Sequence, residues 1–402
     1  MIDHDLTHDE TPAPVPFAEL EPAEIENRRT EFLNLQTLYG DGPASEASRA
    51  LYAEDGMSFR LGAALPNSRV FDVPLDRDGK PLTADARNIE NTVVRQLTAM
   101  FLQLHNLAVQ ESLEDDGSGS GRSPSERFAQ ARARVCHQFQ WLVRHDFLPR
   151  ICDEPTSAMV LRGDGQFIEW ERDQFSIPVE FAQAAFRFGH SAVKHKYRLR
   201  GNREVGLADL FGGRGSLGPL QPSDAVDWAE FLGVGGNRQF AHLIDTAIVH
   251  DLFRVPERSI AAFASRGSDD TASAGMLPLR TLRRGAASRL CSGEVAAACL
   301  LPPDRASRAA MDCAHLRQCG FDGDTPLFYY ILLEAELHER GRRLGSVGSR
   351  IVAGTLEGVL IANPASFVHQ PPGWRPKPWR APDGSEVHIN TLYDVVRVVG
   401  LG

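Results

Sequence analysis

The amino-acid sequence predicts an all-α fold, in which residues 1–402 form a single large, mainly helical domain. Hydrophobic residues make up 42% of the chain, which is enough for a sizeable buried core. Apolar residues recur at spacings of three and four over several long segments, whereas the alternation typical of strands is scarce. Two polar stretches interrupt these segments. Because they cannot bury apolar area, we interpret them as loops within one domain rather than as divisions between domains.

Six segments carry the helical pattern along the chain. They are residues 91–114, 125–151, 179–195, 237–253, 292–300 and 326–345. The two polar stretches, residues 113–125 and 265–275, are rich in Gly, Ser and Asp and are predicted to be surface loops. The C-terminal segment, residues 371–402, begins Pro-rich and is predicted to be irregular, packing over the body through its tryptophans.

Charge, hydropathy and cysteine content exclude several classes of protein. The net charge is −10 and no basic tract is present, which argues against nucleic-acid binding. No apolar run approaches the ~20 residues that a membrane span needs. The opening MIDHDLTHDE is not a secretory signal, so we expect a cytoplasmic protein, or a secreted one if the true N-terminus lies upstream. The six cysteines match neither a zinc signature nor the CxxCH of c-type haem attachment.

Three clusters could carry chemistry, and each also has a simpler interpretation. His4 lies in an acidic opening that could be an ordinary polar chain start. Within ADARNIEN (84–91), Arg87 and Glu90 are three residues apart, and a surface ion pair would explain them. His190 lies on an apolar helix and could be a core histidine. The glycine before His190, however, leaves the room beside the imidazole that a flat cofactor would require.

The order and spacing of these clusters resemble the animal-type haem peroxidases of the peroxidase–cyclooxygenase superfamily, particularly their bacterial-like members. The resemblance covers residues 3 to about 375, and Arg87 and His105 keep the family's separation of eighteen residues. It implies a haem peroxidase domain that holds haem b between a distal and a proximal helix. The motifs that carry it are DHDLT (3–7), TEFLNLQTLYG (30–40), DARNIEN (85–91) with LQLHN (102–106), FRFGH (186–190) and LRTLRRGAASRLCSG (279–293).

The resemblance assigns three residues to the reaction with hydrogen peroxide. His190 would be the proximal ligand of the haem iron. His4 would be the distal general base, which moves a proton from the peroxide oxygen nearer the iron to the oxygen farther from it. Arg87 would stabilise the negative charge that develops as the O–O bond breaks. The electrons would come from a small donor, either a halide or an aromatic compound.

Five further residues are implied to hold or tune the haem. Arg187 and Arg284 match the arginines that pair with the haem propionates. Asp3 and Glu90 match the carboxylates that some members link to haem methyl groups through ester bonds. Behind the proximal histidine, the family's asparagine falls on Thr281, whose hydroxyl can still accept the imidazole N–H and so affect the potential of the iron.

The same resemblance implies a calcium site in the loop that follows the distal helix. Its ligands would be Asp5, Thr30, the Phe32 carbonyl, Asn34 and Gln36. Asn34 stands where the family has Asp, and Gln36 stands where it has Ser. Because calcium is a hard dication, one carboxylate fewer weakens its binding.

Two alternatives to a peroxidase remain open. A fatty-acid dioxygenase of the cyclooxygenase kind needs a tyrosine three residues before the proximal histidine, where this chain has Arg187. A non-catalytic haem-binding remnant is the other alternative, because the family's distal helix carries a glutamine four residues before its histidine. Since His4 lies three residues from Met1, we expect that the chain is truncated at its N-terminus or that its start is misplaced.

Overall fold

Helices account for most of the regular structure in the computed structural model of the chain, and strands are few and short. The mainly helical fold predicted from the sequence is therefore confirmed. Among the described helices, none is long and apolar enough to cross a membrane. The structure describes residues 1–7, 27, 29–30, 32–66, 68–116, 121–164, 175–212, 218–236, 238–255, 275–303 and 313–401.

The α-helices are α1 (Ile2–Leu6), α2 (Gln36–Tyr39), α3 (Thr92–Asp116), α4 (Pro124–Leu142), α5 (Leu148–Ile151), α6 (Glu154–Arg162), α7 (Val179–Gln183), α8 (Gly189–Ala192), α9 (Leu207–Gly212), α10 (Trp228–Phe231), α11 (Leu277–Ala287), α12 (Gly293–Leu300), α13 (Cys313–Gln318), α14 (Leu327–Glu339), α15 (Ser346–Ala362) and α16 (Leu392–Val398). A π-helical turn, Val143–Phe147, joins α4 to α5. Short 3₁₀ helices cover Arg49–Leu51, Ala86–Ile89, Ala185–Phe188, Arg200–Asn202, Pro222–Asp224, His250–Phe253 and Phe367–His369. Two antiparallel hairpins pair β1 (Lys196–Leu199) with β2 (Arg203–Gly206), and β3 (Trp379–Arg380) with β4 (Glu386–Val387).

The long helices pack around one large apolar core. α3 and α4 lie against each other, and α14 packs on both α12 and α15. The residues of α15 from Val347 to Leu360 are almost all buried, and the helix accordingly has apolar residues on every side. α12 approaches α14 closely because Gly293 has no side chain; a Cβ there would clash with the Tyr330 ring. This core forms one wall of the region in which the predicted proximal histidine lies.

The predicted helix 179–195 is broken into three pieces. α7 ends at Ala184, whose backbone leaves the helical region (φ −131°, ψ −69°). A 3₁₀ turn, Ala185–Phe188, follows and leads into the short α8 that carries His190. The break gives the histidine an orientation that does not follow from one continuous helix.

The predicted helix 237–253 is wrong in the described residues 238–253, apart from the 3₁₀ turn His250–Phe253. The segment has no regular structure before this turn and lies beside α8, and several of its backbone groups bond to residues elsewhere in the chain. The Ser191 hydroxyl donates toward the carbonyls of Leu243 (2.9 Å) and Asp245 (2.7 Å). The backbone N–H of Ile244 donates to the Gly341 carbonyl at 2.7 Å. Because these partners already satisfy the backbone, the local helical pattern is overridden.

The prediction that residues 371–402 are irregular is also wrong in part. The segment contains the β3–β4 hairpin and α16, which begins with a capping box between Thr391 and Asp394. Trp379 is buried beneath the Arg134 guanidinium, 3.8 Å from the ring centroid, so a tryptophan does anchor the segment as expected. Of the predicted loop 113–125, residues 113–116 belong to α3, residues 124 and 125 belong to α4, and residues 117–120 lie outside the described residues. Residues 265–274 of the other loop lie outside the described residues.

Candidate active site

The distal helix α1 has only five residues, and it is held by side chains from distant parts of the chain. Arg87 donates to the carbonyls of Thr7 (2.7 Å) and His4 (2.8 Å). The Asn27 side chain donates to the carbonyl of Leu6, whose side chain is fully buried. These bonds satisfy the carbonyl end of the helix, which a short isolated helix would leave to water. His4 is thereby fixed in the interior, with 8% of its surface exposed.

Asn88 determines which nitrogen of His4 carries the proton. Asn88 is fully buried, and its side-chain N–H donates to the Thr37 carbonyl at 2.8 Å. Its carbonyl oxygen therefore faces His4 and lies 3.0 Å from Nδ1. Since that oxygen can only accept, Nδ1 of His4 must be the protonated nitrogen. Nε2, which makes no hydrogen bond within the described part of the chain, keeps its lone pair.

The guanidinium of Arg87 forms an ion pair with Asp85 in addition to its bonds to α1. Its Nη2 lies 2.7 Å from the Asp85 carboxylate, and its Nε lies 3.1 Å from the same group. Asp85 also pairs with Arg29 and caps the 3₁₀ turn Ala86–Ile89 through the Arg87 N–H. Arg87 thus does two things in the structure: it holds the backbone of α1, and it places a fixed positive charge beside His4.

Burial and this charge keep His4 neutral. Burial lowers the pKa of His4 to about 4, and the Arg87 charge acts in the same direction. Burial raises the pKa of the neighbouring Glu90 to about 7, and the Asp3 carboxylate contributes to that rise. Burial would raise the pKa of Asp3 too, but the Arg187 guanidinium and its other partners lower it to about 2. At neutral pH the distal side therefore holds a neutral imidazole and an ionised Asp3.

His190, the predicted proximal ligand, has Thr281 behind its imidazole. The Thr281 hydroxyl donates to the Leu277 carbonyl at 3.0 Å, so its oxygen is left to accept from His190 Nδ1, 3.4 Å away. Phe328 of α14 meets the imidazole edge-on at a centroid distance of 6.2 Å. Next to the histidine, Ser191 is fully buried and fixes α8 to the segment 238–253 described above. His190 Nε2 makes no hydrogen bond to any described residue.

Arginines gather around the proximal side. Arg187 lies 3.6 Å from the Asp3 carboxylate, which connects the distal helix to the proximal segment. Burial lowers the pKa of Arg280, and the charges of Arg284 and Arg187 lower it further. The latter two arginines are the pair that the sequence predicted for the haem propionates. Such a group of like charges is suited to a ligand that carries carboxylates.

The residues present fit haem. Burial lowers the pKa of His190 to about 4, with a contribution from the charge of Arg187, so its imidazole is in the neutral form that binds iron. The Thr281 oxygen orients the ring through Nδ1 and leaves Nε2 for the metal. Apart from its chain neighbours and its own helix backbone, a Cβ at Gly189 would meet no atom within 4 Å, so this glycine adjoins open space. The arginines supply cations for two propionates.

The predicted calcium ligands lie around one loop, but their oxygens are largely engaged. The Asp5 carboxylate accepts the backbone N–H groups of Leu35 (2.7 Å) and Thr37 (3.2 Å), which holds the start of α2 against α1. Burial raises the pKa of Asp5 to about 6.

The other proposed ligands are only partly available. The Phe32 carbonyl accepts the backbone N–H of Asn34 at 2.9 Å. The Asn34 side chain bonds Thr30 (3.2 Å) and the Gln36 backbone N–H (3.1 Å). The Gln36 side-chain oxygen is buried without a hydrogen-bond partner among the described residues. No group of three or more His, Cys, Asp or Glu suited to a metal ion occurs in the described ranges.

Comparison with known proteins identifies the family. The family model for animal haem peroxidases matches residues 6–254, which is more than half of the chain. The chain belongs to the animal haem peroxidase family. The matched residues include Arg87, Glu90 and His190, whereas His4 precedes them and Thr281 follows them. A comparison with curated protein sequences gives no match.

Solved structures with a similar fold support the fold of this chain. Peroxidase A from Dictyostelium discoideum superimposes with a TM-score of 0.62 at 18% identity, over 94% of this chain and 70% of that one. The fatty acid alpha-dioxygenase of Oryza sativa with palmitic acid gives a TM-score of 0.59 at 14% identity, over 85% of this chain and 59% of that one. That of Arabidopsis thaliana gives 0.57 at 14% identity, over 85% of this chain and 57% of that one. At these identities the likeness shows the fold alone.

Three functional residues were missed in the sequence. Asn88 and Asp85 flank Arg87 within the DARNIEN motif, and Ser191 follows the proximal histidine. A signal for Asn88 was available, because a polar residue inside a motif often supports its neighbours. Nothing local could have revealed Ser191, whose three partners are carbonyl and N–H groups more than fifty residues away.

Proposed function

We propose that this protein is a haem-dependent peroxidase that reduces hydrogen peroxide and oxidises a halide or a small aromatic donor. The observation that carries the proposal is the state of His4: buried, neutral, and protonated on Nδ1 by its bond to Asn88, so that Nε2 can accept a proton. It lies beside the charge of Arg87, on a helix that the Asp3–Arg187 pair connects to the segment of His190.

The residues around His4 and those around His190 would have different roles in the reaction. Haem, when bound through His190, would supply the site at which peroxide is reduced and the donor oxidised. His4 Nε2 takes the proton from the near oxygen of hydrogen peroxide and delivers it to the far oxygen, which leaves as water. Arg87 provides a positive charge where negative charge develops during O–O cleavage, and it keeps α1 in place. Two electrons, from two aromatic donors or one halide, complete the reduction.

We also propose the finer features of haem binding. The charge of Asp3 contributes to the raised pKa of Glu90, so the two carboxylates lie near each other, and this supports the proposal that both form ester bonds to haem. Mass spectrometry of the denatured, peroxide-treated protein should find haem attached to peptides that contain these residues, and not in the Asp3→Asn, Glu90→Gln double variant. A calcium ion at Asp5 is proposed as well; titration with Ca²⁺ should then raise the melting temperature of the wild type and not of the Asp5→Asn variant.

The decisive experiment compares three activities of the purified, haem-loaded chain: peroxide-dependent oxidation of bromide, peroxide-dependent oxidation of a phenol, and oxygen uptake with palmitate. Peroxide-dependent oxidation of bromide and of a phenol is expected, and the His4→Gln variant should lose about 100-fold or more of the rate. His250→Gln, at an exposed histidine outside the site, is the matched control and should retain it.

Two results would contradict the proposal. Oxygen uptake with palmitate and no peroxide turnover would indicate a dioxygenase, the activity named for two of the structural neighbours. A Soret band with neither activity would indicate a haem-binding protein that has lost catalysis. The presence of Arg187, rather than tyrosine, three residues before His190 argues against the dioxygenase.

A further inference from the structure

A cavity of about 210 Å³ opens where the C-terminal segment crosses the end of α4. The residues that line it are Trp141, Arg375, Pro376, His388, Ile389 and Asn390. None of these belongs to the haem site described above, and none is acidic. For comparison, a protein cavity of about 150 Å³ can hold benzene, so the space is sufficient for one substituted ring.

The wall at Trp141 is a fixed aromatic surface. The indole packs on the His145 ring at a centroid distance of 3.9 Å with the two planes tilted by 30°, and it meets Phe367 (5.5 Å) and Trp374 (6.4 Å) at steep angles. His145 belongs to the π-helical turn that follows α4, and such turns are frequent at functional sites. These neighbours hold the indole still, and the part of it that they leave uncovered lines the cavity. A planar aromatic ligand would gain ring contacts there without ordering the protein further.

The cavity lining also offers side-chain polar groups that make no hydrogen bond to a described residue. The Arg375 guanidinium is exposed and makes no hydrogen bond or ion pair in the described ranges. The side-chain nitrogens of Trp141 and His388 likewise make no hydrogen bond to a residue in the described ranges.

Nearby acidic groups are already committed elsewhere. Asp146 pairs with Arg150 and accepts the Leu392 N–H, and Asp394 accepts the N–H of Asn390. Burial lowers the pKa of His145 to about 4, with contributions from the charges of Arg144 and Arg375, so His145 adds no charge at neutral pH. Arg375 is therefore an exposed cation in the cavity lining that makes no ion pair with a described acidic residue, so it can pair with an anionic ligand.

We propose that this cavity binds a small aromatic carboxylate of about one ring, with its ring against Trp141 and its carboxylate on Arg375. A planar guanidinium bonds a carboxylate through two parallel hydrogen bonds. His388 and Asn390 provide further polar contacts at the rim. An inorganic anion would make no ring contact with the indole, and a neutral ring would make no ion pair with the guanidinium, so an aromatic carboxylate matches the lining better than either.

The test uses benzoate as the probe on the haem-loaded protein, measured by calorimetry and by tryptophan fluorescence. We expect saturable binding with one site, and we expect the Arg375→Gln variant to bind about tenfold more weakly because a charge-assisted pair is lost. Lys377→Gln is the matched control: it removes one positive charge from the same exposed segment, but Lys377 does not line the cavity. It should bind benzoate as the wild type does.

Benzyl alcohol and acetate separate the two parts of the proposal. Each should bind at least about tenfold more weakly than benzoate, since one lacks the charge and the other lacks the ring. Equal binding of either compound, equal binding by Arg375→Gln and wild type, or no saturation at millimolar benzoate would overturn the proposal. So would a benzoate-induced shift of the Soret band that persists in Arg375→Gln, because that result would place the anion at the haem.

Discussion

Replacing Asn88 tests whether the proton arrangement on His4 is what makes it a base. In Asn88→Leu the side chain stays close in size, but His4 Nδ1 loses its acceptor at 3.0 Å and the Thr37 carbonyl loses its donor at 2.8 Å. Both groups are buried, and each should cost about 1–3 kcal/mol when left without a partner, or about 2–6 kcal/mol together. Urea unfolding of the haem-loaded protein would measure this loss.

The effect on the reaction with peroxide should exceed what stability explains. Without Asn88, the proton is free to move from Nδ1 to Nε2, and the ring is free to rotate, so the lone pair is no longer presented in one place. We expect the second-order rate constant with hydrogen peroxide to fall by about 100-fold, within the range that a general base contributes. Stopped-flow absorbance at the Soret band, at a temperature where the variant is folded, measures it directly.

Asn106→Leu is the matched control for this variant. Asn106 also makes two hydrogen bonds through its amide, accepting the Phe59 N–H at 2.7 Å and donating to the Phe59 carbonyl at 2.9 Å. Its loss should lower stability by a similar amount but leave the peroxide rate nearly unchanged. If Asn88→Leu kept the wild-type rate, or if both variants lost it equally, the assignment of the His4 tautomer to Asn88 would be refuted.

Three further predictions follow from the same contacts. Because the pKa of His4 is about 4, the peroxide rate should be level near neutral pH and fall below about pH 4, as the imidazole gains a proton; a limb near its ordinary value of 6.5 would contradict the burial of His4. Thr281→Val removes the hydrogen-bond acceptor behind His190, which should raise the iron reduction potential by up to roughly 40 mV, the equivalent of about 1 kcal/mol. Thr281→Ser keeps the acceptor and should leave the potential unchanged. Spectroelectrochemistry would measure both. Ser191→Ala should lower the free energy of unfolding by about 1–3 kcal/mol and speed the loss of haem to an apo-globin acceptor. The control Ser157→Ala, which removes one buried hydrogen bond, should lower the free energy of unfolding but leave the rate of haem loss unchanged.

The sequence predicted the helical fold and much of the site because these depend on patterns that survive in the chain itself. α3 and α12 lie within two residues of the predicted segments, since their apolar spacing agrees with their packing. Thr281 was placed behind His190 by the order of motifs alone, and the structure brings the two within 3.4 Å.

The failures have a common physical cause. Residues 238–249 have a helical apolar pattern, yet the Ser191 hydroxyl and the Gly341 carbonyl satisfy their backbone from elsewhere in the fold. The break at Ala184, which orients α8, likewise comes from packing against α14 and α15 rather than from a Gly or Pro signal. Such tertiary partners are far apart in sequence, so no local pattern could have indicated them.

These long-range contacts determine how firmly each histidine is held. α1 is too short to be stable by itself, so the position of His4 depends on the turn that carries Asp85, Arg87 and Asn88. That one turn fixes the helix backbone through Arg87 and the imidazole proton through Asn88. A substitution that shifts the turn should therefore change the peroxide rate even when His4 itself is intact. The iron ligand His190 and its partner Thr281 lie on α8 and α11, outside this turn, so haem affinity should fall less than the peroxide rate. Measuring both quantities in one variant would distinguish the support of His4 from that of His190.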